Sequence, residues 1–137
     1  MNREDKGYTL AEMLVVIGII GLLAAALTPA LIGQLSRARV KTAHLQLETV
    51  SSALEQFRSD VSRYPTEQEG LKALVTDPND AQGWIGPYLR GSKAIDDPWG
   101  HAIVYKLDAT GDRFSLTSLG SDGKEGGTGT AADIHTP

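Results

Sequence analysis

The chain has 137 residues, room for one domain of ordinary size. Its 13 Lys+Arg stand against 17 Asp+Glu, a net charge of −4 that argues against a general nucleic-acid binder, which carries a basic excess on one face. Cysteine is absent, excluding a disulfide framework, a thiolate metal site, an iron–sulfur cluster and a cysteine nucleophile.

The first element is set by hydropathy. The leader up to Gly7 carries both signs of charge, and from Met13 to Ser36 no residue is charged. A helix needs about 20 apolar residues to cross the hydrocarbon core, so this stretch is long enough to span a membrane. The expected organisation is an N-terminal anchor followed by one soluble domain from Arg37 onward. The rival is a cleaved secretory signal, with Met13 to Leu23 as its apolar region and Ala24-Ala25-Ala26 as the cut. Glu4 and Asp5 in the leader, and the apolar Leu27, Leu31 and Ile32 beyond the cut, argue against it. Flanking charge, Arg3 and Lys6 against Arg37, Arg39 and Lys41, leans weakly away from a cytoplasmic N-terminus and leaves orientation undecided.

Past the span, Ala43, Leu47, Val50, Leu54, Phe57 and Val61 recur at gaps of four and three, one stripe of an α-helix. Lys41, Glu48, Ser52, Glu55 and Arg58 fall off that stripe. Span and stripe read as one helix from Tyr8 to about Arg63, roughly 84 Å long at 1.5 Å per residue, stopped by Tyr64-Pro65. Pro29 lies inside it and predicts a kink or local melting. Gly18, Gly21 and Ala25, spaced three and four apart, read either as a groove where another helix approaches closely or as incidental glycine usage in a lone anchor.

The remainder reads as α+β. Residues 64 to 101 read as a loop region with a short helix over Glu67 to Val75, ended by Asp77-Pro78. Residues 102 to 137 hold a hairpin and a loop: strands over Ala102 to Leu107 and Arg113 to Ser118, then a Gly-rich stretch from Gly120 to Thr130. The small antiparallel sheet is expected to cover the apolar stripe of the helix.

No catalytic constellation is present: no G-x-S-x-G, no phosphate-binding glycine loop, no H-E-x-x-H. His44 and Glu48 share a helix face but read as a surface contact, and Asp96-Asp97 before Pro98 reads as turn chemistry. Two features do stand out. Glu12 is a carboxylate at the head of the apolar run, where an acidic group costs about 2.5–3.5 kcal/mol if it enters a bilayer. The stretch Leu119-Gly120-Ser121-Asp122-Gly123-Lys124, continuing to Thr128-Gly129-Thr130 and Ala132-Asp133, offers carboxylates, hydroxyls and free carbonyls, the donors of a hard cation such as Ca²⁺. It lacks EF-hand spacing, and as a bare pattern it reads more readily as a solvated loop than as a metal site.

Gly7-Tyr8-Thr9-Leu10-Ala11-Glu12 before the apolar run resembles the processing motif of type IV prepilins and pseudopilins, in which a glycine precedes the cut and a glutamate stands fifth after it. Tyr64-Pro65-Thr66, Glu69-Gly70-Leu71, Asp97-Pro98-Trp99-Gly100, Leu119-Gly120-Ser121-Asp122-Gly123, Gly126-Gly127 and Ala132-Asp133-Ile134 follow in order. Together they resemble the major pseudopilins of bacterial type II secretion systems over nearly the whole chain.

That resemblance implies a type IV pilin-like fold: a long N-terminal helix, kinked near Pro29, packed on a small C-terminal antiparallel sheet. It implies removal of residues 1–7 by prepilin peptidase, with the cut between Gly7 and Tyr8 and N-methylation of Tyr8, which stands where the family has phenylalanine. Residues 8–36 then form the membrane and assembly half of the helix, and 37–137 the periplasmic domain. Glu12 is implied to neutralise the N-terminal amine of a neighbouring subunit, and Pro29 to loosen the span as subunits leave the inner membrane. The loop aligns with the family's calcium site, implying side chains of Asp122 and Asp133, main-chain carbonyls of Leu119 and Lys124, and hydroxyls of Thr128 or Thr130 as ligands. Some relatives have an acidic pair where Ala132-Asp133 stands here.

The implied function is structural: a homopolymer forming the pseudopilus that drives folded proteins across the outer membrane. Its implied partners are prepilin peptidase, minor pseudopilins and an inner-membrane platform with a cytoplasmic ATPase, with no nucleic acid and no enzyme activity. A membrane-tethered binding module acting as a monomer is the alternative from another class. A DNA-binding pilin is disfavoured by the missing cysteine pair and by the lack of a basic patch beyond Arg37, Arg39 and Lys41.

Overall fold

The computed structural model describes residues 7–78 and 81–136. The chain divides into two compact units, Met1–Ser36 and Arg37–Pro137. Helix α1, Leu10–Val61, has 52 residues and contains the single stretch among the described residues that is long and apolar enough to cross a membrane. It runs unbroken through Pro29, so the local melting expected there is not seen. Thr28 Oγ1 donates to the carbonyl of Ala24 at 2.6 Å, within the turn that Pro29 deprives of a backbone donor.

In the second unit the predicted stripe is the buried one. Ala43, Leu47, Val50, Leu54 and Phe57 are buried, with Ala53 beside them, and Val61 packs half-buried at the end. Lys41, Glu48, Ser52, Glu55 and Arg58 face solvent. Tyr64, Leu71, Leu74, Leu89, Ile103, Leu116 and Ile134 complete the core from the loops and the sheet. Side chains such as Leu47, Leu54, Phe57, Leu74 and Leu116, with essentially no exposure, each contribute roughly 1.5–3 kcal/mol of burial.

α1 stops at Val61, earlier than the sequence reading placed it. Ser62 takes φ +63° and donates its N–H to the Arg58 carbonyl at 2.8 Å, a left-handed termination that acts before Pro65 is reached. The turn returns the Tyr64 ring to the helix, where its hydroxyl donates to Glu55 at 2.7 Å and accepts from Arg58 at 3.2 Å.

The helix expected over Glu67 to Val75 is a short 3-10 helix, Gly70–Leu74. Gly70 has φ +56°, which no α-helix can pass through. In the turn just before it Thr66 and Glu69 bond each other reciprocally, Thr66 N–H to the Glu69 carboxylate at 2.7 Å and Glu69 N–H to Thr66 Oγ1 at 3.2 Å. A second 3-10 turn, Ser92–Ile95, was not anticipated; the half-buried Gln46 of α1 holds it by donating to the carbonyls of Lys93, Ala94 and Asp96.

The hairpin is present as β1, Val104–Leu107, and β2, Phe114–Ser118, antiparallel with Val104 opposite Thr117 and Leu107 opposite Phe114. A third strand, β3, Ile134–Thr136, pairs antiparallel with β2, giving the order β1-β2-β3. Between β2 and β3 the Gly-rich stretch contains two single 3-10 turns, Gly120–Asp122 and Gly129–Ala131.

Candidate functional site

The first site is the head of α1. Leader residues 1–6 lie outside the described residues; Gly7 and Tyr8 precede the helix, and Tyr8 is exposed. Thr9 and Glu12 form a capping box. Thr9 donates its N–H to Glu12 Oε2 at 2.8 Å and its hydroxyl to the same oxygen at 3.0 Å, while Glu12 N–H donates to Thr9 Oγ1 at 3.2 Å. Glu12 therefore serves its own helix first, a role legible as T-x-x-E but not taken from the sequence. Its Oε1 has no partner among these contacts. From Leu10 to Leu35 every residue is exposed, and Glu12 is the one charged group among them.

The second site is the C-terminal loop. Its two halves meet at Gly120, whose φ of +68° and crowding admit no side chain. A Cβ there would stand 2.9 Å from backbone atoms of Thr130, Ala131 and Ala132. Across that contact Ser121 Oγ donates to Thr130 Oγ1 at 3.4 Å. Asp122 accepts the Lys124 N–H at 3.2 Å, and Asp133 Oδ2 accepts the Gly126 N–H at 2.9 Å. The fold thus links Asp133 to the start of the glycine run and Thr130 to the Leu119–Asp122 turn. Thr128 lies exposed at the start of the second 3-10 turn, and its hydroxyl makes no capping hydrogen bond there.

No group of three or more His, Cys, Asp or Glu able to hold a metal occurs among the described residues. A cation here has to rely on hydroxyls and carbonyls beside two carboxylates. One observation fits such a guest: Asp133 Oδ1 is buried and has no hydrogen-bond partner. A buried acceptor left without a donor costs about 1–3 kcal/mol, and a bound cation relieves it.

Behind the loop sits a polar group whose reach the sequence did not reveal. Asp97 is buried, and its carboxylate accepts from Trp99 N–H at 3.0 Å, His101 N–H at 2.8 Å and Ser118 Oγ at 2.7 Å. Turn chemistry was the right reading for the first two bonds; the third reaches the end of β2. His44 lies exposed on α1 and makes no side-chain hydrogen bond among the described residues.

Comparison with known proteins supplies the family. The model of the family "Type II secretion system (T2SS), protein G" matches residues 30–137, and that of the "Prokaryotic N-terminal methylation motif" matches residues 2–28. The type II secretion system core protein G of Pseudomonas aeruginosa is 38% identical over 97% of this chain and 95% of its own length. Those of Xanthomonas campestris and Vibrio cholerae are 35% and 36% identical, over 95% and 96% of this chain and 88% and 91% of theirs. The chain belongs to the type II secretion system protein G family. A crystal structure of the major pseudopilin from the type 2 secretion system of enterohaemorrhagic Escherichia coli superposes with a TM-score of 0.60 at 28% identity, covering 77% of this chain and 91% of that one. Members of this family are structural pseudopilin subunits, not enzymes, and the apolar α1 fits a single-pass membrane anchor.

Proposed function

We propose that this chain is the repeating subunit of a type II secretion pseudopilus, built by packing α1 of many copies together. The observation that carries the reading is the uncovered apolar length of α1 with a single carboxylate at its head. Lipid covers such a surface before assembly, and neighbouring helices cover it afterwards. Prepilin peptidase cuts between Gly7 and Tyr8 and methylates the new amine of Tyr8. Glu12, already turned to the helix N-terminus by Thr9, meets the Tyr8 amine of an adjacent copy, because a carboxylate among apolar helices is tolerable only when paired. Pro29 lets the span yield as the subunit leaves the inner membrane.

Residues 37–137 stand in the periplasm. Minor pseudopilins and an inner-membrane platform driven by a cytoplasmic ATPase are the assembly partners, and the growing filament pushes folded proteins through the outer membrane. Calcium supplies a divalent centre that pins the loop between β2 and β3, held by Asp122 and Asp133, the carbonyls of Leu119 and Lys124 and the hydroxyls of Thr128 or Thr130. The buried, unpartnered Asp133 Oδ1 supports this assignment.

Intact mass and N-terminal sequence of protein purified from membranes with active prepilin peptidase test the reading. A chain beginning at N-methylated Tyr8 is the expected result. A chain beginning at Leu27 would mean an ordinary secretory signal and no anchor for assembly.

A further inference from the structure

We propose that His101 is a positioning residue for the calcium loop, gripping it from the Asp97–His101 turn so that Leu119, Asp122 and Lys124 are presented to the cation. The inference rests on the calcium reading above. Three contacts carry it. The Asp97 carboxylate, 1% exposed, accepts from Ser118 Oγ at 2.7 Å at the end of β2. Two residues along the loop, the Gly120 carbonyl lies 3.0 Å from His101 Nδ1. A carbonyl only accepts, so the ring carries its proton on Nδ1 and donates it there. Further on, Gly123, at φ +64°, lies against the same imidazole: a Cβ at Gly123 would stand 3.0 Å from His101 Nε2.

One turn therefore bonds positions 118 and 120 and crowds position 123, and the ligand candidates Leu119, Asp122 and Lys124 fall between or beside them. Residues Ser121 to Lys124 contribute no buried apolar side chain, so packing alone does not hold this segment. Gly120 is also the point at which the loop meets the backbone of Thr130 to Ala132, which leads into Asp133. A residue that fixes the Gly120 carbonyl fixes the seam between the two halves of the site. Groups that orient ligands from behind typically change metal affinity by 10–100-fold when removed.

The test is calorimetric titration of CaCl₂ into the full chain in detergent micelles, alongside amide hydrogen exchange of the calcium-free protein. His101→Ala is expected to weaken calcium binding at least tenfold and to speed exchange over Gly120–Lys124 without speeding it at Leu54 and Leu116. His101→Asn places an amide N–H where Nδ1 stands and is expected to recover most of the affinity; His101→Gln places it where Nε2 stands and is not. Equal affinity in His101→Ala and the parent overturns the clamp and leaves the calcium reading intact. Equal behaviour of the Asn and Gln variants also overturns it, and that comparison decides the matter even where His101→Ala fails to fold. If the parent chain takes up no calcium, the calcium reading fails and the proposal falls with it.

Discussion

Asp97 shows how much one side chain can organise. It is a carboxylate removed from water, and it persists because three donors, two backbone and one hydroxyl, converge on it. Asp97→Ala strands all three at once and is expected to cost about 3 kcal/mol or more, read as a fall in the urea midpoint of the folded domain. Asp97→Asn retains an oxygen for the two N–H groups, and the Ser118 hydroxyl can rotate to accept from the new amide, so its cost is expected to be smaller. Similar midpoints for the two variants would mean that the buried charge, not its hydrogen bonds, sets the local stability. Gly120 makes the complementary point: Gly120→Ala forces a methyl into backbone at 2.9 Å and is expected to loosen β3, seen as faster exchange of the amides of Ile134 to Thr136.

Among the elements, the junction after α1 depends most on charge. Arg63 grips Glu69 with both nitrogens, at 2.7 and 2.8 Å, and Thr66 N–H binds the same carboxylate. The Arg63 guanidinium, reinforced by the Thr66 backbone, holds the Glu69 carboxyl down to about 2 from an ordinary 4.5. Because the folded value is the lower one, the pair stabilises the fold fully above pH 4.5 and loses that contribution as pH falls from 4.5 towards 2. Glu69→Gln is expected to cost about 1 kcal/mol at neutral pH, since Arg63 is partly exposed, and to flatten the pH dependence of the urea midpoint in that window. An unchanged pH profile would show that the pair is inert. The same junction explains the early end of α1: the chain must reverse at Ser62 for Tyr64 to reach Glu55 and Arg58, and a helix carried on to Arg63 would forbid it.

At the scale of the whole molecule, burial separates the two jobs. Among the described residues the core lies at or after Ala43, with Val40 partly packed before it, so a fragment starting at Arg37 is expected to fold. It is also expected to sediment as a monomer, because the apolar length that drives assembly is gone. Sedimentation velocity and far-ultraviolet circular dichroism would check both. Glu12→Ala in the full chain is expected to leave that domain folded while abolishing filaments and secretion. Normal filaments from this variant would favour a monomeric, membrane-tethered module. Calcium removal by chelator is expected to lower the melting temperature of the parent chain and to leave Asp133→Ala unmoved. Equal shifts in the two would place the cation elsewhere.

Local pattern alone encodes the membrane-length apolar run, the buried stripe from Ala43 to Phe57 and the β1–β2 hairpin, because each is a local period repeated over enough residues to stand above composition. It also carried the family, through short motifs kept in order. β3 escaped because three residues, Ile134 to Thr136, contain no full period; they become a strand only where β2 offers a free edge. The short helix over Glu67 to Val75 failed for the opposite reason, an apolar period overruled by the backbone of Gly70. Asp97, His101 and Ser118 are ordinary residues on the page, spread over 97 to 118. They meet through folding alone, since a hydrogen bond between distant residues leaves no spacing in the chain that encodes it.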